Sequence, residues 1–371
     1  MCCHTSVTMT EPESALPDPF VSNAGTPVDT PARWAQRRRE IHALTIPLAY
    51  GALPRPPRVT RCVPLHQAVL RHLGGARLVS ARVEVDGASA FGLRIFLPAD
   101  AVPHPVLING DACWHYATDE VIAAVLGRGT VLAQFNRVEL ASDLAGTDTP
   151  QVMNAVLGGQ PCSALAAWAW GYHRAVDALL QLEDIDPACI AVVGHSRGGK
   201  AALLAGATDE RIALTSANNS GAGGAGCFRW QGPGAETLAD IVAAFPHWFG
   251  PQLARFAGRE HELPFDQHFL KALIAPRALL TTEALGDLWA NPMGSWQTHR
   301  AARAVYALLG VSQRIAIAFR EGGHAHTLAD WNTLLDFCDA VFYRKPRAEG
   351  PVVNPFPGLP APAAWCADVS W

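Results

Sequence analysis

A serine lies at the centre of a glycine-rich heptapeptide, Gly-His-Ser-Arg-Gly-Gly-Lys, at positions 194–200. An apolar run, 190–193, precedes the heptapeptide, and a stretch of small residues that suits a helix, 201–207, follows it. A strand, a sharp turn with serine at its apex and a helix together form a nucleophile elbow, where glycines on both sides relieve crowding. Such a turn would hold the Ser196 hydroxyl above a sheet edge, at a helix N-terminus that favours negative charge. The heptapeptide therefore predicts a nucleophilic serine.

A nucleophilic serine needs a base within hydrogen-bond reach, and the base needs an acid that orients it. Where the serine lies on an elbow of this kind, the chain order is serine, acid, histidine. His324, in a loop after the last predicted strand, is our candidate base, and His326 is the alternative. Asp287, in the loop after the penultimate strand, is our candidate acid, and Glu283 at the end of that strand is the alternative. A zinc site on the His-x-His pair is a weaker interpretation without further ligands, so we expect no metal and no cofactor.

Strand and helix patterns between residues 77 and 321 indicate how these side chains are brought together. Of eight predicted strands, the first two alternate apolar and polar residues, as an antiparallel hairpin at a sheet edge does. The later strands are short apolar runs separated by helical stretches, one of them at about 162–182, which is typical of buried parallel strands. With Ser196 after the fifth strand, this order predicts an α/β-hydrolase: a three-layer αβα sandwich with a mostly parallel eight-stranded sheet. The predicted strands are Arg77–Val85, Phe91–Leu97, Pro105–Asn109, Thr130–Asn136, Ile190–Val193, Ile212–Asn218, Arg277–Thr282 and Arg314–Arg320.

Two glycine-rich segments imitate phosphate-binding motifs. The heptapeptide also fits G-x-x-x-x-G-K, but Ala201 cannot ligate Mg²⁺ as the serine or threonine of a P-loop does. Residues 221–226 fit G-x-G-x-x-G, yet they follow a late strand and open no clear helix. We interpret both matches as coincidences of glycine-rich loops.

Composition excludes several classes of protein. The 371 residues are 49% hydrophobic and 17% charged, which predicts a globular protein with a large core. The net charge of −4 and the lack of a basic stripe argue against a nucleic-acid partner, and no apolar run is long enough to span a membrane. The first residues lack a secretory signal, and the nine cysteines show no paired spacing. We therefore expect reduced thiols and a cytoplasmic location, although a start upstream of Met1 would leave secretion open; the oligomeric state is not predicted.

The chain divides into four predicted parts. Residues 1–15 are polar and are expected to be disordered. Residues 16–75 are expected to form a helical extension packed on the core, with a helix that begins at Pro31 and is capped by Thr30. Residues 76–345 form the catalytic domain, and residues 346–371 form a tail rich in proline and alanine.

The heptapeptide and several short segments before and after it together match the sequence of a known family. They are VGHSRGGK at 193–200, NNSG at 218–221, FPHWF at 245–249, LPFDQH at 263–268 and DLWANP at 287–292, with WAQRRREI at 34–41 and a Tyr-Gly pair at 50–51 near the start. This pattern resembles the glucuronoyl esterases of carbohydrate esterase family 15, and the resemblance covers most of residues 17–342. The Ser-Arg-x-Gly-Lys sequence is specific to that group among hydrolases.

The resemblance implies hydrolysis of the ester between a 4-O-methyl-glucuronate on xylan and a lignin alcohol. It assigns Ser196 as the nucleophile and His324 as the base, and it implies that Arg197 offers its backbone N–H and its side chain to the oxyanion. This suits the chain, because the loop at 110–114 after the third predicted strand lacks a His-Gly-Gly oxyanion motif.

The resemblance also implies that Lys200, Glu236 and Trp289 bind the uronate. Lys200 lies four residues after Ser196, one helical turn on, so that it can face the same opening and bond sugar hydroxyls. The alternative interpretations are a solvated lysine, a surface glutamate and a core tryptophan.

The chain departs from the family at one informative position. Fungal members carry the acid of the triad after the sixth strand, and Asn219, twenty-three residues beyond Ser196, stands there in this chain. An amide cannot supply the charge that an imidazolium needs. The bacterial branch places an acid after the seventh strand, and Asp287 with Trp289 two residues later fits that variant. The expected lack of a leader is a second departure. Because an intracellular enzyme would not meet lignocellulose, we expect a smaller uronate ester or another acyl ester as the substrate.

Three functions follow from these residues. The first is a serine esterase that acts on uronate esters through Ser196, His324 and Asp287. The second keeps the fold and the triad but acts on a general acyl or acetyl ester. The third is a binding protein that retains a relic of a catalytic site.

Overall fold

The computed structural model describes residues 15–115, 117–147, 151–157, 162–345 and 354–366. The predicted disorder of residues 1–15 falls, except for residue 15, outside the described residues. Of the predicted tail, only residues 354–366 are described.

A single nine-stranded sheet organises the described residues, in the order β1-β2-β3-β5-β4-β6-β7-β8-β9. The pairs β1–β2, β2–β3 and β3–β5 are antiparallel, and all the pairs from β5–β4 to β8–β9 are parallel. The α/β-hydrolase fold and all eight predicted strands are therefore confirmed, although the sheet has nine strands rather than eight. The strands are β1 Thr60–Leu70, β2 Ala76–Val85, β3 Ala88–Leu97, β4 His104–Asn109, β5 Val131–Phe135, β6 Ile185–His195, β7 Leu214–Asn218, β8 Ala278–Ala284 and β9 Ile315–Arg320.

The strand missing from the prediction is β1, at the edge of the sheet. None of its eleven residues is buried, and two of its apolar side chains, Leu65 and Val69, are 63% and 65% exposed. An edge strand without a buried face shows no alternation, and its Pro64 lies at a break in register. The segment at 16–75 therefore contains a strand of the sheet as well as a helix, and Ser196 follows the sixth strand instead of the fifth.

Helices cover both faces of the sheet. Alternate residues of the inner strands belong to different hydrophobic clusters, as Val192 and Val193 on β6 do. One cluster joins the sheet to α1, α4, α5, α7 and α8, and the other joins it to α2 and α9. The helices are α1 Pro31–Tyr50, α2 Asp119–Gly127, α3 Gln151–Leu157, α4 Ala164–Leu179, α5 Arg197–Thr208, α6 Leu238–Ala244, α7 Gln267–Ile274, α8 Pro292–Leu308 and α9 Leu328–Tyr343. In the described part of the chain, no helix has the length and apolar character needed to cross a bilayer.

Helix α1 begins where the sequence predicts. The Thr30 side chain accepts a hydrogen bond from Arg33 N, and Pro31 occupies the first helical position. Arg38 Nε of α1 donates to Leu273 O at 2.9 Å, which fastens the helix to the end of α7.

The two ends of the described chain lie against each other beside α8. Leu16 N donates to Pro362 O at 3.2 Å, and Trp365 Nε1 donates to Leu16 O at 3.3 Å. Leu16 also packs with Trp230 and Ala301 in a small hydrophobic cluster. The segment at 354–366 is thus held to both the N-terminal region and the catalytic domain.

Candidate active site

The turn between β6 and α5 is strained at Ser196. Its φ of 54° and ψ of −123° lie in a region that residues with a side chain rarely adopt. The turn is so tight that a Cβ at Gly194 would lie 2.2 Å from Gly198 O. The serine therefore occupies the apex of an elbow whose flanking glycines are required by space.

A buried ion pair lies under the elbow. A Cβ at Gly198 would lie 1.9 Å from Asp111 Oδ1, and Asp111 Oδ2 accepts a hydrogen bond from His195 N at 2.7 Å. Arg137, which is fully buried, pairs with Asp111 and lies 4.1 Å from the centre of the Trp114 ring. Burial raises the pKa of Asp111, and the Arg137 charge opposes that rise. The pair fixes the loops after β4 and β5 against the turn that carries Ser196.

The structure brings His324 and Asp287 together. His324 Nδ1 lies 2.5 Å from Asp287 Oδ2, with the carboxylate 6% exposed and the imidazole 42% exposed. The alternative acid, Glu283, is fully buried on β8, and burial raises its pKa. The alternative base, His326, is also buried, and its ring stacks on Trp331 at 4.6 Å. The geometry therefore favours the pair chosen from the chain order over both alternatives.

His195, the residue before Ser196, packs against His324. The two imidazole rings lie 4.6 Å apart, and His195 Nδ1 lies 2.6 Å from Asn218 Oδ1. Asn218 Nδ2 donates to Thr282 Oγ1 at 2.9 Å, which directs its carbonyl oxygen towards His195. Burial lowers the pKa of His195 to about 4, so this ring is uncharged at neutral pH.

The Arg197 side chain lies at the opening of the site, 28% exposed. It follows Ser196 directly, as the first residue of α5, where backbone N–H groups have no partner within the helix. Its guanidinium packs over the ring of Trp248 at 4.6 Å. A backbone donor and a cation therefore stand together beside Ser196.

Lys200 and Glu236 form a buried polar pair near the elbow. Lys200 Nζ donates to Ser220 O and Ala222 O, both at 2.7 Å, and lies 3.9 Å from Glu236 Oε2. Burial lowers the pKa of Lys200 to about 8 and raises that of Glu236. Glu236 N donates to the backbone oxygen of Trp289, whose side chain is 55% exposed. The lysine and the glutamate are thus buried and the tryptophan exposed, the reverse of the three alternative interpretations.

Asn219, at the position of the missing fungal acid, ties two loops of the site together. Its Oδ1 accepts from Ala284 N at 2.7 Å, and its Nδ2 donates to Ala325 O at 3.1 Å. Its φ of 43° also lies in the left-handed region, which asparagine tolerates better than most residues. The amide therefore holds the ends of β8 and of the His324 loop in place.

Sequence reasoning missed this role of Asn219, and it missed Asp111, Arg137 and Asn218. Asp111 and Asn218 lie at the carboxyl ends of β4 and β7, the edge where sites form in such sheets, and this position was a usable signal. For Arg137 the sequence offers no comparable signal. Among the residues that the structure describes, no three His, Cys, Asp or Glu side chains are grouped so as to hold a metal ion.

A strained serine at a strand-to-helix turn, with a histidine–carboxylate pair whose imidazole lies 4.6 Å from the ring of the preceding His195, is the arrangement of a serine hydrolase of the α/β-hydrolase fold. Residues 82–310 match the model of a family described as glucuronyl esterase, fungi. The 4-O-methyl-glucuronoyl methylesterase 1 of Phanerochaete chrysosporium is 36% identical over 329 residues, which cover 84% of this chain and 66% of that protein. The 4-O-methyl-glucuronoyl methylesterase of Schizophyllum commune is 33% identical over 92% of this chain and 85% of its own.

Solved structures agree with these relatives. The family 15 glucuronoyl esterase of Caldicellulosiruptor kristjansonii superposes with a TM-score of 0.77 at 31% identity, over 96% of each chain. A glucuronoyl esterase of Solibacter usitatus gives a TM-score of 0.78 at 29% identity, over 91% of this chain and 99% of that one. The chain therefore belongs to the glucuronoyl esterases of carbohydrate esterase family 15, and it spans about two thirds of the Phanerochaete protein.

Proposed function

We propose that the protein is a serine esterase that hydrolyses esters of glucuronic acid, 4-O-methyl-glucuronic acid or a similar uronate. The observation that carries this proposal is the buried pair of Lys200 and Glu236 beside the exposed Trp289, with Lys200 one helical turn after Ser196. A lysine and a carboxylate offer donors and an acceptor to sugar hydroxyls, and an exposed indole suits the face of a sugar ring. A simple acyl ester has no hydroxyls or sugar ring for these three side chains to bind.

In the proposed reaction, His324 removes the proton from the Ser196 hydroxyl while its oxygen attacks the carbonyl carbon of the uronate ester. Asp287 holds the imidazole by its Nδ1 and stabilises the imidazolium. Arg197 stabilises the negative charge that collects on the carbonyl oxygen, through its backbone N–H and its guanidinium. The C–O bond to the alcohol then breaks, and the alcohol leaves with the proton from His324.

The acyl-enzyme is hydrolysed by the same groups. Water gives a proton to His324 and attacks the ester carbon, and a second oxyanion forms at Arg197. Its collapse returns the proton to Ser196 and releases the free uronate. The two half-reactions balance without a metal ion or a cofactor.

Relatives support the substrate class. The curated relatives are named 4-O-methyl-glucuronoyl methylesterases. A glucuronoyl esterase of Sporotrichum thermophile, 26% identical with a TM-score of 0.74, was solved as a serine-to-alanine mutant in complex with methyl 4-O-methyl-β-D-glucopyranuronate. A uronate ester is therefore the substrate to test first.

The test compares the kcat/KM values for benzyl glucuronate and p-nitrophenyl acetate. We expect hydrolysis of the uronate ester to exceed that of the acetate, and Ser196→Ala to abolish both. Turnover of acetate alone would contradict the uronate proposal and would favour a general acyl esterase. A fluorophosphonate probe that labels the wild type but not Ser196→Ala would exclude a non-catalytic binding protein, and the absence of labelling would favour one.

A further inference from the structure

Arg197 is anchored by a residue from a distant loop. Its Nη1 donates to Asp143 Oδ2 at 2.7 Å, and the Asp143 side chain is 21% exposed. Asp143 lies between β5 and α3, more than fifty positions before the nucleophile in the chain. A charge-assisted hydrogen bond of this length fixes the end of a side chain that is otherwise flexible.

Asp143 is itself held from two sides. Its Oδ1 accepts a hydrogen bond from Trp248 Nε1 at 3.2 Å, and its backbone oxygen lies 3.2 Å from His247 Nε2. The carboxylate thus uses one oxygen for the indole and the other for the guanidinium. It therefore links Arg197 to the segment at 245–248.

Aromatic rings complete the support of the guanidinium. Besides Trp248 at 4.6 Å, the rings of Phe245 and Trp114 lie 5.2 and 5.5 Å from its central carbon. Phe245 and Trp248 stack on each other with centroids 3.8 Å apart. Rings at these distances attract the cation and limit where it can move.

The bond to Asp143 does not use all of the hydrogen-bond donors of Arg197. Arg197 Nε is buried, and it finds no acceptor within the part of the chain that is described. A buried N–H without a partner is costly unless a group supplied by the substrate or the reaction accepts it. Asp143 engages Nη1 alone among the donors of Arg197, so the bond orients the side chain without using all of its hydrogen-bonding capacity.

We propose that Asp143 is a positioning residue, which acts through Arg197 to hold the guanidinium ready for the oxyanion. The inference rests on the proposed role of Arg197 in ester hydrolysis. Because the oxyanion exists only along the reaction path, loss of the anchor should lower kcat while KM changes little. A misplacement of about 1 Å in a positioning group can lower the rate by about a hundredfold.

The test is a double-mutant cycle with Asp143→Ala, Arg197→Ala and the double variant. We expect Asp143→Ala to lower kcat about tenfold to a hundredfold, and Arg197→Ala to lower it by about 10²–10³. In the Arg197→Ala background, the further loss from Asp143→Ala should be less than about twofold, because residues that act through one another are not additive. Equal losses in both backgrounds would overturn the proposal.

Two further variants separate positioning from folding. Asp184, which precedes β6 at the end away from the elbow and pairs with Arg77, has a similarly exposed side chain (27%), and Asp184→Ala should leave kcat unchanged. Asp143→Asn retains one acceptor oxygen, so it should lose less activity than Asp143→Ala while its melting temperature stays near that of the wild type. If Asp143→Asn is folded and loses as much as Asp143→Ala, or if neither variant changes kcat, the proposal is wrong.

The same double-mutant cycle can be measured without a sugar substrate, with the rate of labelling by a fluorophosphonate in place of kcat. The phosphonyl oxygen takes the place of the oxyanion. Asp143→Ala should therefore slow labelling when Arg197 is present, but not in the Arg197→Ala variant. If the enzyme is labelled but does not hydrolyse benzyl glucuronate, the proposed substrate fails. The role of Asp143 is then still decided by the labelling cycle.

Discussion

Replacement of the Asp287 carboxylate by an amide, Asp287→Asn, tests the assignment of the triad. An amide of the same shape cannot stabilise the His324 imidazolium, and it can present an N–H where His324 Nδ1 needs an acceptor. Equivalent changes in serine hydrolases lower kcat by about 10⁴. Since His324 is 42% exposed, water can stabilise part of its charge, and we expect a loss of about 10³. That loss corresponds to about 4 kcal/mol of transition-state stabilisation.

The assay measures kcat for benzyl glucuronate at neutral pH, beside the rate of fluorophosphonate labelling. Both should fall together, because each depends on removal of the Ser196 proton by His324. Glu283→Gln is the matched control, since this second carboxylate is buried near the end of β8, the strand that precedes Asp287, but does not bond His324. We expect it to cost less than about tenfold. A folded Asp287→Asn enzyme within tenfold of the wild type, or an equal loss in Glu283→Gln, would refute the assignment.

Three further predictions follow from the elbow and the lysine beside it. Lys200→Met should raise the KM for the uronate ester about tenfold. In the wild type, KM should also rise above about pH 8, where Lys200 loses its proton, whereas the KM of Lys200→Met should show no such rise. Ser196→Gly should abolish activity and raise stability by about 1 kcal/mol, seen as a higher melting temperature, because glycine accepts the φ of 54° without strain; Ser196→Ala should abolish activity without this gain. Gly198→Ala should prevent recovery of folded protein, because its Cβ would overlap the Asp111 carboxylate, whereas Gly127→Ala has open space and should express normally.

The fold could be predicted because its signals are local. Each parallel strand is a short apolar run that ends in a turn, and Thr30 and Pro31 mark a helix start by their own chemistry. The edge strand β1 carries no such signal, because none of its side chains is fully buried and its pairing with β2 is what identifies it as a strand. An element held mainly by its neighbour cannot be found from its own residues.

The site could be predicted in part, for a related reason. Asp287 and His324 follow successive strands, so the topology places them at one edge of the sheet. The contact between Asp143 and Arg197 depends instead on how a loop returns over the sheet, which neither residue type nor spacing encodes. The catalytic roles, the division into domains and the cytoplasmic location stay predictions.

The contact between the two ends of the described chain has a consequence for connectivity. Leu16 and Pro362 are hydrogen-bonded, so a short peptide could join the two end segments without disturbing the core. The turn between β1 and β2, at 71–75, is mostly exposed and contains two glycines with positive φ, the kind of place where a chain tolerates being opened. A circular permutant that starts there would keep the elbow, the acid and the base in their usual order. The fold of the enzyme should therefore not depend on which residue is the first in the chain.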